Sequence, residues 1–105
     1  MHIQIVNFQL SEMDETQYAE ACEEEAPTFA ALPGLAAKIW LADRATNAYG
    51  GVYLWHDRRA MQSFVASDLF RGIGTDPHIR NLTSREFAVL EAPTSITRGL
   101  IPAPV

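Results

Sequence analysis

Four segments whose apolar residues alternate with a period of two, two segments with apolar residues at helical spacing, and their order along the chain predict an α+β domain. The order is strand, helix, strand, strand, helix, strand.

His2 to Gln9 sets Ile3 and Ile5 against Gln4, Val6 and Phe8, the alternation of a strand. "SEMD" follows, with Ser11 as the expected N-cap and Asp14 three residues on, and acidic residues crowd the first turns, where the helix dipole favours them. The buried stripe of this helix is expected to be Tyr18, Cys22, Ala26 and Phe29, with Glu20, Glu23, Glu24 and Glu25 on the wet face. Pro27 should bend or break it, because a proline inside a helix removes a hydrogen bond and clashes with the preceding turn. "LPG" at Leu32 to Gly34 is a stop and turn. "LAAKIWLAD" then alternates Leu35, Ala37, Ile39 and Leu41 against Ala36, Lys38, Trp40 and Ala42 as a second strand. "DRATNAYGG" has the Asp, Asn and Gly density of a hairpin loop and leads into "GVYLWH" as the third strand. Gly50 and Gly51 leave two readings open, a plain loop or a bulge with close approach of another group. Asp57 caps a second helix with apolar positions Ala60, Met61, Phe64, Val65 and Leu69, ended by "FRGIGTDP". A last strand, "SREFAVLEA", precedes a tail with Pro93, Pro102 and Pro104.

This is the ferredoxin-like βαββαβ order, a four-stranded antiparallel sheet with two helices on one face. The other face must meet solvent, a partner or a ligand. Val52, Leu54, Ile39 and Leu41 make a plain aliphatic face, expected under the helices. Lys38, Trp40, Gly51, Tyr53 and Trp55 share the opposite face, expected to be uncovered. An aromatic patch of that kind marks an interface or groove, and dimerisation with a cavity between two sheets would cover it.

At 105 residues the chain fits a single domain, residues 1–105. An apolar share of 48% is high for so small a surface to cover, which suggests an oligomer. A net charge of −5 disfavours nucleic acid as a partner. One cysteine, Cys22, builds no disulfide framework, no basic and apolar leader opens the chain, and no apolar run approaches the ~20 residues of a membrane span. A soluble, cytoplasmic protein with no membrane partner is therefore expected. "NLT" at Asn81 to Thr83 matches a glycosylation sequon without the secretion signal that would give it meaning.

"PGLAAKIWLAD", "GGVYLW" and "FAVLEAPTSITRG" resemble the signature segments of the YdhR-like monooxygenases, small members of the dimeric α+β barrel superfamily. The resemblance runs from the first strand to Gly99. Its most specific parts are "GGVYLW" and "PTSITRG", since Pro-Thr followed by Thr-Arg-Gly is not demanded by the fold pattern. It implies a homodimer whose sheets close into a barrel-like shape with a pocket in each half. It also implies a monooxygenase without cofactor or metal, and it carries over no catalytic motif.

Cofactor-free oxygenation needs an electron-rich phenol, quinol or anthrone, a flat apolar slot, a base or hydrogen-bond network, and a site for developing negative charge. Trp40, Tyr53, Trp55 and Phe87 are candidates for the slot, with Phe8 as a further wall. Lys38 is the candidate charge partner. Tyr53 or Arg85 would bond substrate oxygens. These rings could equally be a dimer core with Lys38 at its rim. His56 titrates in the right range for a base, although alternation puts it opposite Trp55 at the strand end. His78 could reach a pocket mouth from its loop, and His2 is nearly terminal. The three histidines form no metal-ligand pair, "GIG" at Gly72 to Gly74 reads as a loop rather than a dinucleotide motif, and Cys22 reads as core. Ile96, Arg98 and Leu100, in the tail over residues 93–105, are expected to lie across the partner subunit. The leading expectation is a monooxygenase of a small aromatic or polyketide-like compound, bound between sheet and helices. The alternatives are an isomerase, cyclase or dehydratase using the same pocket without O₂, and a non-catalytic ligand-binding dimer.

Overall fold

The computed structural model describes residues 1–100. Its elements are β1 (His2–Leu10), α1 (Glu15–Ala30), β2 (Leu35–Asp43), β3 (Ala48–Trp55), α2 (Arg58–Val65), α3 (Asp68–Thr75), β4 (Ile79–Ala88) and α4 (Glu91–Ile96). The strands form one antiparallel sheet in the order β2-β3-β1-β4, the ferredoxin-like α+β arrangement that the sequence pattern predicts. Pro102 and Pro104 of the tail lie outside the described residues. No helix among the described residues is long and apolar enough to cross a membrane.

Several local expectations shift. Asp14, not Ser11, caps α1, through a reciprocal box in which Gln17 N–H donates to Asp14 Oδ1 at 2.8 Å and Asp14 N–H to Gln17 Oε1 at 3.0 Å. The helix runs through Pro27 to Ala30. Pro27 and Glu23 are both exposed, so water can satisfy the carbonyl that the missing N–H leaves free. Asp57 caps α2 as expected, with Ala60 N–H donating to Oδ1 at 2.8 Å. That helix stops at Val65, however, and Ser67 starts α3 by accepting from Phe70 N–H. Gly72 and Gly74 are therefore helical rather than loop residues. β4 begins five residues before Ser84 and ends at Ala88, because the nine residues of β1 draw it into register from Leu10↔Ile79 to His2↔Ala88. Glu91 to Ile96, part of it read as strand, turns into α4.

The largest correction concerns the two faces of the sheet. Alternation groups the residues as read, but the helices cover the aromatic face. Tyr49, Tyr53 and Trp55 are buried with Val6 and Phe8 beneath Phe29 of α1 and Met61 and Phe64 of α2. The aliphatic set lies on the uncovered side, where Ile39 is 62% exposed. A bulge between Leu35 and Ala37 moves Leu35 alone to the core side. The reason is reach. The gap between a sheet and a layer of helices is filled by long side chains, and rings span it where short aliphatics would leave voids.

Buried polar atoms are matched within this core. Trp55 Nε1–H donates to Gln4 Oε1 at 3.1 Å, and Gln4 Nε2–H donates to Ser84 Oγ at 2.9 Å, tying β3, β1 and β4 together. The hairpin loop shortens to Arg44–Asn47, closed by Asp43 accepting from Ala45 N–H and Thr46 Oγ1–H.

Both glycines after Tyr49 belong to β3. Gly50 has φ +140°, and a Cβ there would sit 1.9 Å from the carbonyl oxygen of Val6 on the neighbouring strand. Of the two readings left open, close approach is the one observed. Gly50→Ala should therefore destabilise the fold by about 3 kcal/mol, combining backbone strain with overpacking. Urea unfolding checks it, and a loss within the ordinary surface range would show that the two strands can part freely there.

Candidate active site

β2 and β3 bring Lys38 and Tyr53 into register, with Trp40 opposite Gly51. The lysine tail lies across the second glycine, where a Cβ at Gly51 would come within 2.9 Å of Lys38 Cε and 3.3 Å of Tyr53 Cε1. A glycine therefore clears the path for the one lysine in the chain. Its Nζ ends 3.3 Å from the centroid of a Trp40 ring, 3.5 Å from Phe29 and 4.7 Å from Tyr53. Phe29 arrives from α1 and meets Trp40 edge to face at 5.2 Å. Its position on the predicted buried stripe is what aims it at the sheet.

Lys38, Trp40 and Tyr53 line a cavity of about 340 Å³ between sheet and helices, together with Phe8, Tyr18 and Cys22. That size is in the range of small-molecule sites. His78 stands at the same cavity, half-buried. Its Nδ1 lies 3.0 Å from the Ser11 carbonyl oxygen, which can only accept, so Nδ1 is the donor of that hydrogen bond.

The electrostatics single out one group. Burial lowers the Lys38 amine from 10.5 to about 7, opposed only in part by the Cys22 thiol and the Glu25 carboxylate. The same burial pushes the Tyr18 hydroxyl far up, helped by its hydrogen bond to Cys22, and pushes up Tyr53 and the Cys22 thiol as well. The phenols and the thiol thus stay protonated at neutral pH, while the amine can give or take a proton there. Among the described residues no carboxylate lies within ion-pair distance of Nζ.

Not every expected residue reaches the site. Trp55 is fully buried, stacked on Tyr53 at 5.9 Å and beside Phe64 at 5.3 Å, and it lines none of the cavity. It is a core residue that backs the Tyr53 ring. His56 is exposed in the turn after β3, where its backbone N–H donates to the Gly34 carbonyl, and it does not line the cavity. Arg85 and Phe87 pair with Ile5 and Ile3 of β1, so they lie on the uncovered face, with the guanidinium 5.2 Å from the Phe87 ring. They cannot bond a substrate held beside Lys38. His2, though nearly terminal, is buried, with Nε2 3.0 Å from Glu86 Oε1. Among the described residues no three His, Cys, Asp or Glu side chains gather as a metal site. Tyr18 and Phe29 were legible only as a helix stripe. Their place in the cavity follows from which face the helix covers.

A family model described as "Putative mono-oxygenase ydhR" matches residues 3–100. The match spans nearly the whole chain, so the chain belongs to that family. Similar solved structures include a "putative antibiotic biosynthesis monooxygenase" from Deinococcus radiodurans, 16% identical over 88% of this chain and 95% of that one, with a TM-score of 0.71. SnoaB, a cofactor-independent oxygenase from Streptomyces nogalater, is 20% identical over 84% and 92%, with a TM-score of 0.64. The heme-degrader MhuD from Mycobacterium tuberculosis, solved with two hemes in its active site, is 15% identical over 86% and 96%, with a TM-score of 0.68. Identities this low show the fold alone. No curated protein matches the chain.

The Lys38 amine gives the site a measurable signature. Between about 7 and 10.5 the unfolded chain binds a proton that the folded chain does not, so stability rises with pH across that window. Below it both states are charged and the folded state carries the full desolvation penalty. Lys38→Met removes the penalty, so its gain in Tm over the parent should be largest near pH 6 and fade towards pH 10. An equal change at both ends would mean that Lys38 stays charged when folded.

Proposed function

We propose that the protein is a cofactor-independent monooxygenase that oxidises a small aromatic or polyketide-like compound, with Lys38 as the base. The reading rests on one observation: the only lysine of the chain lies half-buried against ring faces at the wall of a cavity, with no carboxylate in ion-pair reach among the described residues. Membership of a monooxygenase family supports it, as does the likeness to a cofactor-independent oxygenase.

The chemistry follows from that amine. A phenol or anthrone slides between Trp40 and Tyr53 and gives a proton to neutral Nζ. The resulting ammonium stays beside the anion and holds its charge in a poorly solvated site. The anion passes an electron to O₂, the two radicals join as a carbon-bound peroxide, and the ammonium returns a proton to the distal oxygen. Loss of water then breaks the O–O bond and the remaining C–H bond, leaving a new carbonyl. For an anthrone, one O₂ yields one quinone and one water. Tyr18 and Tyr53, kept neutral by burial, are available as hydrogen-bond donors to substrate oxygens.

O₂ uptake with a panel of anthrones, quinols and naphthols tests the reading. Uptake should rise with pH through about 7, the region in which Lys38 loses its proton. Lys38→Met should lower the rate by about 10²-fold or more. Lys38→Arg keeps a cation but no base near neutrality, so it should be impaired as well, and full activity in that variant would make Lys38 a counter-ion only. Substrate loss that proceeds equally under nitrogen would move the reading to proton-transfer chemistry in the same cavity.

The working unit is proposed to be a homodimer built on the uncovered sheet face. Ile3, Ala37, Ile39, Val52 and Leu54 line a groove there, bordered by Leu90, Thr94 and Leu100 from the chain after β4. So broad an apolar surface is uncommon on a monomer. Thr94 and Leu100 beside that groove support a contact between the start of the tail and the second copy. Ile39→Glu puts a charge at its centre and should yield monomers by sedimentation, and an unchanged dimer would move the interface elsewhere.

A further inference from the structure

We propose that Lys38 also captures carbonyl compounds covalently, its amine condensing with an aromatic aldehyde or ketone bound in the cavity to form an imine. This goes beyond oxygenation and shares with it the neutral amine and the cavity.

Three observations converge on it. The chain carries seven arginines and a single lysine, and an arginine can be neither a base nor a nucleophile near neutrality. The one lysine side chain is not on the surface but half-buried at the cavity wall, with no carboxylate in ion-pair reach among the described residues. Gly51 clears its path, so the amine reaches the rings with its stem laid flat across β3. A lysine desolvated in an apolar pocket is the form in which amines attack carbonyls. The walls choose the partner: Phe8, Tyr18, Phe29, Trp40 and Tyr53 offer ring surface to a flat aromatic carbonyl and little to a small polar one.

The step balances without an oxidant or reductant. The Nζ lone pair adds to the carbonyl carbon, the C=O π pair becomes an oxyanion, and a proton moves from nitrogen to that oxygen to give a carbinolamine. A proton from solvent lets the hydroxyl leave as water while the nitrogen lone pair forms the C=N bond, and the iminium nitrogen then releases a proton to solvent to give the imine. Neutral O–H groups of Tyr18 and Tyr53 on the same cavity provide hydrogen bonds to the departing oxygen.

The test is reductive trapping with 4-hydroxybenzaldehyde and cyanoborohydride under nitrogen, near pH 7.5, read by peptide mass mapping. The α-amine of Met1, 3.5 Å from Glu91 Oε1, is the internal reference. In the folded protein the adduct should form on Lys38 ahead of Met1, and 2-naphthol should compete with it. In concentrated urea the order should invert, because an ordinary lysine is then neutral in only roughly one part in a thousand, against about a third for an α-amine. Lys38→Arg should lose the dominant adduct. Met1 labelled first in the folded state, or labelling of Lys38 as fast in urea as in buffer, would overturn the proposal. Acetaldehyde trapped on Lys38 as readily as the aromatic aldehyde would overturn its aromatic preference. Since trapping needs no O₂, its failure leaves oxygen uptake untouched, and absent oxygen uptake leaves an adduct on Lys38 standing.

Discussion

Desolvation of one amine against ring faces is the constraint on which the rest of the site depends. An ammonium loses much of its hydration on entering this cavity, and the faces of Phe29, Trp40 and Tyr53 return only part of it. The balance leaves a group that changes charge near neutrality in surroundings where the tyrosines and the cysteine do not. The single lysine is thus set apart from the phenols and the thiol around it by where it changes charge.

The scaffold that holds this amine is built from the same rings. Tyr53 stacks on Trp55, both meet Phe64 of α2, and Phe29 of α1 bridges Trp40 and Phe64. Trp55 in turn is locked by Gln4 and, through it, by Ser84. Core and site are therefore one packed cluster. Substituting a ring in the slot shifts its neighbours in the core, which is how packing alone can hold a site on a small sheet rigid.

Glycine supplies the remaining freedom, in two different ways within two residues. At Gly50 the neighbouring strand's backbone leaves no room for a Cβ and the φ is one that other residues rarely adopt. At Gly51 the missing Cβ is occupied instead by the lysine tail. The density of rings beside bare backbone in "YGGVYLW" is the sequence trace of that arrangement.

Alternation along β2 and β3 by itself determined which side chains stand together: Lys38 with Trp40, Tyr53 and Trp55 on one face, Ile39 with Val52 and Leu54 on the other. A period of two admits no other grouping within an unbulged strand. The strand and helix order, the Asp57 cap and the Tyr18 to Phe29 stripe were legible for the same local reasons. Which face the helices cover was not, because both faces are apolar and a pattern of two apolar faces carries no sign. Tertiary packing decided it, by filling the space between sheet and helices with the side chains long enough to span it. That choice brought Phe8, Tyr18 and Phe29 to Lys38, left Arg85 and Phe87 outside, and turned Trp55 from a slot wall into core.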